Sequence, residues 1–209
     1  MRLAVVVLVF ASAGRLVAQE PSEVKLVVQQ GSREIGREEF TLTRGRGRGA
    51  PGNTIRATAR YPAANPSLRL TATLERTPES ALSKFQLDVD GPNGPTVILA
   101  AGSGARLIIR TLAKGSEAGR ELPGGPDVVL LDDNVLSLYL AVADLATPNG
   151  KTLTAVFPRT ARRATFVARR GPGGVVNLDG DIRGSLETDA NGLVNLTLDS
   201  GIRASRAKD

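Results

Sequence analysis

Histidine, cysteine and tryptophan are absent from all 209 residues of this chain. Without imidazole or thiol it has neither the commonest general base nor the strongest side-chain nucleophile, and it lacks the usual ligands of zinc. Disulfides are excluded, so burial and hydrogen bonding alone must hold the fold. Aromatic content is low, at two Tyr and five Phe, which leaves few flat surfaces for stacking a sugar or a base. Lysine is scarce too: Lys25, Lys84, Lys114, Lys151 and Lys208 stand among 27 basic residues. A GC-rich genome explains such an arginine bias as readily as selection for phosphate binding does.

Long apolar runs are also missing, apart from Leu3 to Phe10 behind Arg2. That run is far shorter than the roughly 20 residues a membrane-spanning helix needs. With the small residues Ala11, Ser12, Ala13 and Ala18 behind it, the pattern is that of a secretory signal peptide over 1–18, cleaved after Ala18 or Gln19. Cleavage removes Arg2 and Arg15 and leaves 25 basic residues against 21 acidic ones, a modest excess that speaks to solubility before function. The expected mature chain, 20–209, is a single β-rich domain with no transmembrane span, in the periplasm or outside the cell. Export also removes nucleic acid as a partner.

Past the leader, short alternating or β-branched runs recur between turn signals, as in an antiparallel meander. Val24 to Gln29 and Arg33 to Thr43 flank Gln30-Gly31-Ser32 and form an opening hairpin. Thr54 to Tyr61 and Ser67 to Leu74 flank two prolines that cannot donate to a ladder. Phe85 to Asp90 and Thr96 to Ala100 flank Gly91-Pro92-Asn93-Gly94-Pro95, the strongest turn signal in the chain. Eight further runs, from Arg106 to Leu112 through Ile202 to Arg206, complete the meander.

One segment departs from this pattern. Asp132-Asp133-Asn134 offers N-cap oxygens ahead of a helix over Val135 to Ala146, which Thr147-Pro148-Asn149-Gly150 ends. Val135, Leu138, Tyr139, Val142 and Leu145 share one face, Leu136 and Leu140 extend it, and only Ser137 and Asp144 are clearly polar. A helix apolar on nearly every side belongs inside. The fold class expected is therefore mainly β: a curved antiparallel meander forming an open or nearly closed barrel around this buried helix.

Motifs that carry chemistry are incomplete. Asp199-Ser200-Gly201 mimics an aspartic-protease loop, but only eight residues follow it, and Asp and Gly are ordinary turn residues. Ala101-Gly102-Ser103-Gly104-Ala105 lacks both the outer glycines of a nucleophile elbow and any histidine partner. Ser22-Glu23-Val24-Lys25 fits S-x-x-K without the companion motifs, and Gly150-Lys151-Thr152 lacks the first P-loop glycine. Asn177, Asp179 and Asp181 have alternate calcium-loop spacing with Ile182 and Thr188 in the wrong places. The acid pairs Asp88/Asp90 and Asp132/Asp133 leave a carboxylate-based hydrolase as the remaining catalytic reading. No catalytic residue, metal site or cofactor is assigned.

The sharpest charge feature is Arg44-Gly45-Arg46-Gly47-Arg48-Gly49. In an exported protein, Arg44, Arg46 and Arg48 are candidates for contact with anionic headgroups or envelope polymers, and the simpler reading is a solvated loop. The cluster Arg159, Arg162, Arg163, Arg169 and Arg170 is a candidate extension of that face.

Pro126-Asp127-Val128-Val129-Leu130-Leu131-Asp132-Asp133-Asn134-Val135, running into Tyr139-Leu140, resembles a stretch in uncharacterised exported bacterial β-rich proteins similar in fold to lipoprotein carriers and lipocalins. The opening hairpin from Glu23 to Phe40 suits that group. The resemblance implies a barrel holding a helix, with affinity for acyl chains, and it brings no catalytic residues. On this reading the protein is a noncatalytic envelope protein that binds a lipid or other apolar molecule against Leu136, Tyr139, Leu140, Phe157 and Phe166. The alternatives are a filled core, and an interaction module working through the Arg-Gly loop.

Overall fold

The computed structural model describes residues 23–45 and 52–208; the leader, Arg46 and Arg48 lie outside the described residues. Fifteen strands form one continuous sheet: β1 Glu23–Gln30, β2 Arg33–Arg44, β3 Asn53–Tyr61, β4 Leu68–Arg76, β5 Leu82–Asp90, β6 Thr96–Ser103, β7 Arg106–Ala113, β8 Ser116–Pro123, β9 Val128–Leu130, β10 Lys151–Phe157, β11 Arg162–Arg170, β12 Val175–Gly180, β13 Gly184–Asp189, β14 Gly192–Leu198 and β15 Ile202–Arg206. Between β9 and β10 runs a 3₁₀ turn, Leu136–Tyr139, that passes directly into helix α1, Leu140–Leu145.

Chain order and spatial order nearly coincide. Reading across the sheet gives β8 back to β1, then β15 back to β9. All ladders are antiparallel except β9 with β10, which is parallel. The meander thus follows from tight turns between neighbours, and β1 joins β15 by pairing Leu26 to Gln30 with Arg206 to Ile202. Strict alternation sends one residue in two inward, as in β3, where Ile55, Ala57, Ala59 and Tyr61 are buried between exposed or half-buried neighbours.

The sheet is not closed edge to edge. Strand β9, one end of the spatial order, touches β5 and forms no ladder with β8 at the other end. Strands β6 to β8 therefore run past the closure line as an overlapping arm. Two observations fix what the arm covers. Pairing with β10 puts Val128, Leu130 and Val156 on the side away from the helix, yet all three are buried. Arg120 of β8 donates to the Pro158 carbonyl at 3.0 Å, just beyond β10. The arm's inner residues Ile98, Leu107 and Ile109 are buried in turn.

The expected helix exists and lies inside, though it is shorter than Val135 to Ala146 and begins as 3₁₀. Leu136, Leu138, Tyr139, Leu140, Ala141 and Val142 are all within 3 % of fully buried. A six-residue α-helix has little stability of its own, so packing in the barrel holds it. The wall makes room by staying small where the two meet: a Cβ on Gly192 would approach the Phe40 ring to 2.9 Å and Leu140 to 3.5 Å. Strand β8 had no counterpart in the sequence reading. Its first four residues, Ser116 to Gly119, are exposed on both faces and so carry no apolar alternation.

Because Leu140 is fully enclosed, Leu140→Ala should destabilise the fold by about 2–5 kcal/mol through lost transfer energy and a residual cavity. Urea unfolding should show a lower midpoint with an unchanged slope.

Candidate functional site

Strand alternation puts Gly36, Glu38 and Phe40 of β2 on the inner face. Glu38 is thereby a carboxylate inside the barrel, 1 % exposed. One of its oxygens accepts the Leu136 N–H at 2.7 Å and the other the Ser137 N–H at 3.0 Å. These are free donors of the first helical turn, so a strand of the wall caps the plug. The expected cap residues do something else. Asp132 accepts the Asn134 N–H at 2.9 Å and takes Arg159 in a two-pronged ion pair at 2.8 Å on each oxygen. Arg159 also donates to Asn134 Oδ1 at 2.6 Å. Val135 stands at the N-cap with no side-chain bond.

The other end is held by opposite charge. The Arg170 guanidinium of β11 donates to the carbonyls of Ala143 and Ala146, the latter at 3.3 Å, where the partial negative charge of helix ends collects. Asp144 reaches the rim, accepting from Asn53 at 2.8 Å and lying 3.7 Å from Arg44. Arg44 also donates to the Ala190 carbonyl at 3.3 Å. The base of the Arg-Gly loop is thus tied to the plug and to the β13–β14 turn.

Electrostatically the two carboxylates inside the wall differ. Asp132 has its own cation, whereas Glu38 has none. Burial raises the Glu38 pKa to about 7; the bonds from Ser137 and Leu136 oppose that rise, and nearby Asp132 adds to it. Arg159 is held further into its charged form, first by its bond to Asp132. The Tyr61 hydroxyl and Ser137 Oγ are buried without a hydrogen-bond partner, and burial, with Glu38 and Asp132 nearby, pushes the Tyr61 hydroxyl up. The Tyr61 ring lies on Gly36, where a Cβ would come within 2.3 Å of it.

The proposed lining residues are brought together. Leu136, Tyr139 and Leu140 of the plug and Phe157 and Phe166 of the wall are 1 %, 3 %, 0 %, 1 % and 1 % exposed. All five belong to the same buried hydrophobic core. The arginine cluster is dispersed. Arg159 serves Asp132, Arg170 caps the plug, and Arg162 pairs with Asp133 at 2.6 Å while lying 3.5 Å above the Phe157 ring. Arg163 and Arg169 lie on the solvent side of β11. Asp199-Ser200-Gly201 forms the β14–β15 turn, closed by the Gly201 N–H on the Leu198 carbonyl at 2.9 Å. Among the described residues no three acids converge as a metal site, and no helix is long and apolar enough to cross a membrane.

No family model matches the sequence, and no curated protein matches it. Two solved structures are similar to this chain. A DUF1089 family protein from Pseudomonas aeruginosa superposes with a TM-score of 0.53 at 13% identity, covering 80% of this chain and 90% of that one. A β-barrel-like protein of the domain of unknown function DUF1849 from Brucella abortus gives 0.49 at 11% identity, covering 89% and 94%. At such identity the DUF1089 likeness shows the fold alone. This chain is a mainly β protein, one unclosed 15-stranded sheet with a short buried helix.

Glu38, which sequence reasoning missed, should contribute a pH-dependent part of the stability. Its pKa inside the barrel, about 7, exceeds the ordinary 4.5, so between those values the folded chain holds a proton that the unfolded chain has released. Stability should be greatest near pH 4.5 and fall by on the order of 3 kcal/mol as pH rises to 7, then level off. Denaturant titrations at pH 5, 6, 7 and 8 measure this. Glu38→Gln should flatten the profile, and an unchanged slope in that variant would show that another group is responsible.

Proposed function

We propose that this protein is a noncatalytic exported envelope protein that works from its outer surface as an interaction module for anionic envelope polymers or headgroups. The observation that carries the reading is the filled interior. The plug occupies the concavity, its side chains are enclosed to within 3 % at Leu136, Tyr139 and Leu140, and both of its ends are tied to the wall by charged groups. Contact with a partner then falls to the outside, where the Arg-Gly loop leaves the rim between β2 and β3. Arg44 is its described member, exposed and fixed beside Asp144. Arg46 and Arg48 follow in the sequence at the same two-residue spacing.

An apolar ligand in the concavity is the second reading. The line where β9 meets β5 without closing the ladder to β8 favours it, and the resemblance to lipoprotein carriers and lipocalins suggests it. Such a ligand has to displace the plug. It would therefore have to outweigh the burial of Leu136 to Leu145 as well as the bonds at both ends.

One pair of measurements separates the two. The interaction reading expects salt-sensitive binding to vesicles containing anionic lipid or to a soluble polyanion, reduced at least tenfold when Arg44, Arg46 and Arg48 become glutamine. It also expects native mass spectrometry of the protein from its source to show no co-purified lipid. Retained lipid together with salt-independent binding would favour the apolar ligand.

A further inference from the structure

We infer that the mouth of the barrel at the plug's C-terminal end is a binding site for one phosphate group, held between Arg44 and Arg76. The inference rests on the reading of the protein as an exported module for anionic envelope components. It names the group that is recognised and adds Arg76, which lies outside the Arg-Gly run.

Register builds the site. Leu42, Ile55 and Leu74, which belong to the core or pack against it, stand side by side on β2, β3 and β4. At the ends of the same strands come Arg44, paired with Asn53, and Arg76, one step beyond the Thr54–Glu75 pair. Strand alternation gives all three the parity of the core residues, so two arginines flank an asparagine at the rim, with adjacent strands about 4.8 Å apart. Arg44 is exposed, and the row therefore opens to solvent at that side.

Arg76 is the residue that points to a ligand. Its side chain is 4 % exposed, and its guanidinium makes one hydrogen bond, to the Ser80 carbonyl. The Nε is buried with no partner. Among the described residues Arg76 has no ion pair. Burial lowers its pKa, opposed by Asp144, yet arginine keeps its charge. A buried cation with idle donors is costly until an anion meets it.

Charge favours an anion here. Asp144 of the plug is the one carboxylate that acts on both guanidiniums; it lies 2.8 Å from Asn53 Nδ2 and 3.7 Å from Arg44. It can balance one of the two cations, and Arg170 brings a third to this end of the plug. Of the other acids, Glu75 has the outer parity and stands opposite Lys84, Asp189 is paired with Arg206, and Glu79 is exposed in the turn between β4 and β5. Phosphate suits what remains. It offers several acceptor oxygens to donors arriving from different strands, and guanidinium groups bind it through two-pronged contacts. Asp144 is then the internal competitor that the ligand has to outbid.

The test uses the exported chain, with calorimetry against inorganic phosphate at fixed ionic strength, chloride as the control, and vesicles of phosphatidylcholine with phosphatidylglycerol. Phosphate should bind saturably where chloride does not. Arg76→Gln should weaken that binding by about tenfold or more, whereas Asp144→Asn, which removes the competitor, should strengthen it several-fold. A loss of folding cannot produce shifts of opposite sign. Should Arg76→Gln fail to fold, Arg76→Lys keeps the charge without the planar fork and should weaken binding at an unchanged melting temperature. Phosphate that also displaces the protein from vesicles assigns the site to a lipid headgroup, and phosphate binding without vesicle binding assigns it to a free phosphate; both support the site. Chloride equal to phosphate, affinity indifferent to Arg76, or affinity lowered by Asp144→Asn overturns it. Vesicle binding that survives Arg76→Gln but is lost when Arg46 and Arg48 become glutamine refutes the site while the broader reading stands. If neither probe binds, the site is refuted, and the polyanion measurement above decides the broader reading.

Discussion

A short helix inside a β-barrel has one physical problem: its end groups need partners that a hydrophobic interior does not supply. Here the wall supplies them with opposite signs. Glu38 meets the first two free N–H groups of the plug, and Arg170 meets carbonyls of its last turn. Each charge complements the partial charge of the helix end it touches. The cost falls on Glu38, which is enclosed without a cation of its own, whereas Asp132 takes the guanidinium of Arg159. A carboxylate so placed is stable because its two bonds are good and because it can hold a proton near neutrality. The plug's position follows from this fixed orientation, with the aromatic wall residues Phe157 and Phe166 buried in the same core.

The unclosed sheet solves a second problem. An edge strand exposes unpaired backbone groups and invites association. The chain tucks β9 against β5 and lays β6 to β8 over the outside, so the inner edge is enclosed and only β8 remains open. That strand carries Glu117, Gly119, Arg120, Glu121 and a terminal Pro123, residue types that discourage further pairing. The overlap gives β9 and β10 two apolar faces, which is why Val128, Leu130 and Val156 are all aliphatic.

Much of this was written in local sequence. Turns rich in Gly, Pro and Asn marked the strand boundaries, and the uninterrupted apolar character of Leu136 to Val142 marked a buried helix. What escaped was set by distant partners. The parallel pairing of β9 with β10, and the arm that covers it, cannot be read from either strand alone. Asp132 and Asp133 looked like caps because they precede the helix, yet each is taken by an arginine from the β10–β11 turn region. Glu38 was legible in principle: in a strand where Gly36 and Phe40 face inward, the residue between them at the same parity must do so too. Its charge argued against that placement, and only the unsatisfied helix start explains it. The loop arginines stood out as a run, whereas Arg37, Arg60 and Arg69 become a set only through the register of three strands.

The two faces of β2 to β4 show how one stretch of chain divides its work. Inward positions hold Phe40, Ile55, Ala57, Ala59, Leu70, Ala72 and Leu74, small or apolar residues that fit the plug and the core, with Glu38 and Arg76 as the buried charged groups. Outward positions hold arginine and threonine with few aliphatics, interspersed with Glu39 and Glu75. Threonine there is explained by β-propensity, and isolated arginines by solubility. The three arginines in register repel one another, and a carboxylate stands by each: Glu34 beside Arg37, Glu39 beside Arg60 and Asp90 opposite Arg69. A filled interior removes the usual place for a barrel's ligand. The outer wall instead carries arginines and carboxylates side by side across the strands, a mixed charge that keeps the sheet surface soluble without concentrating one sign.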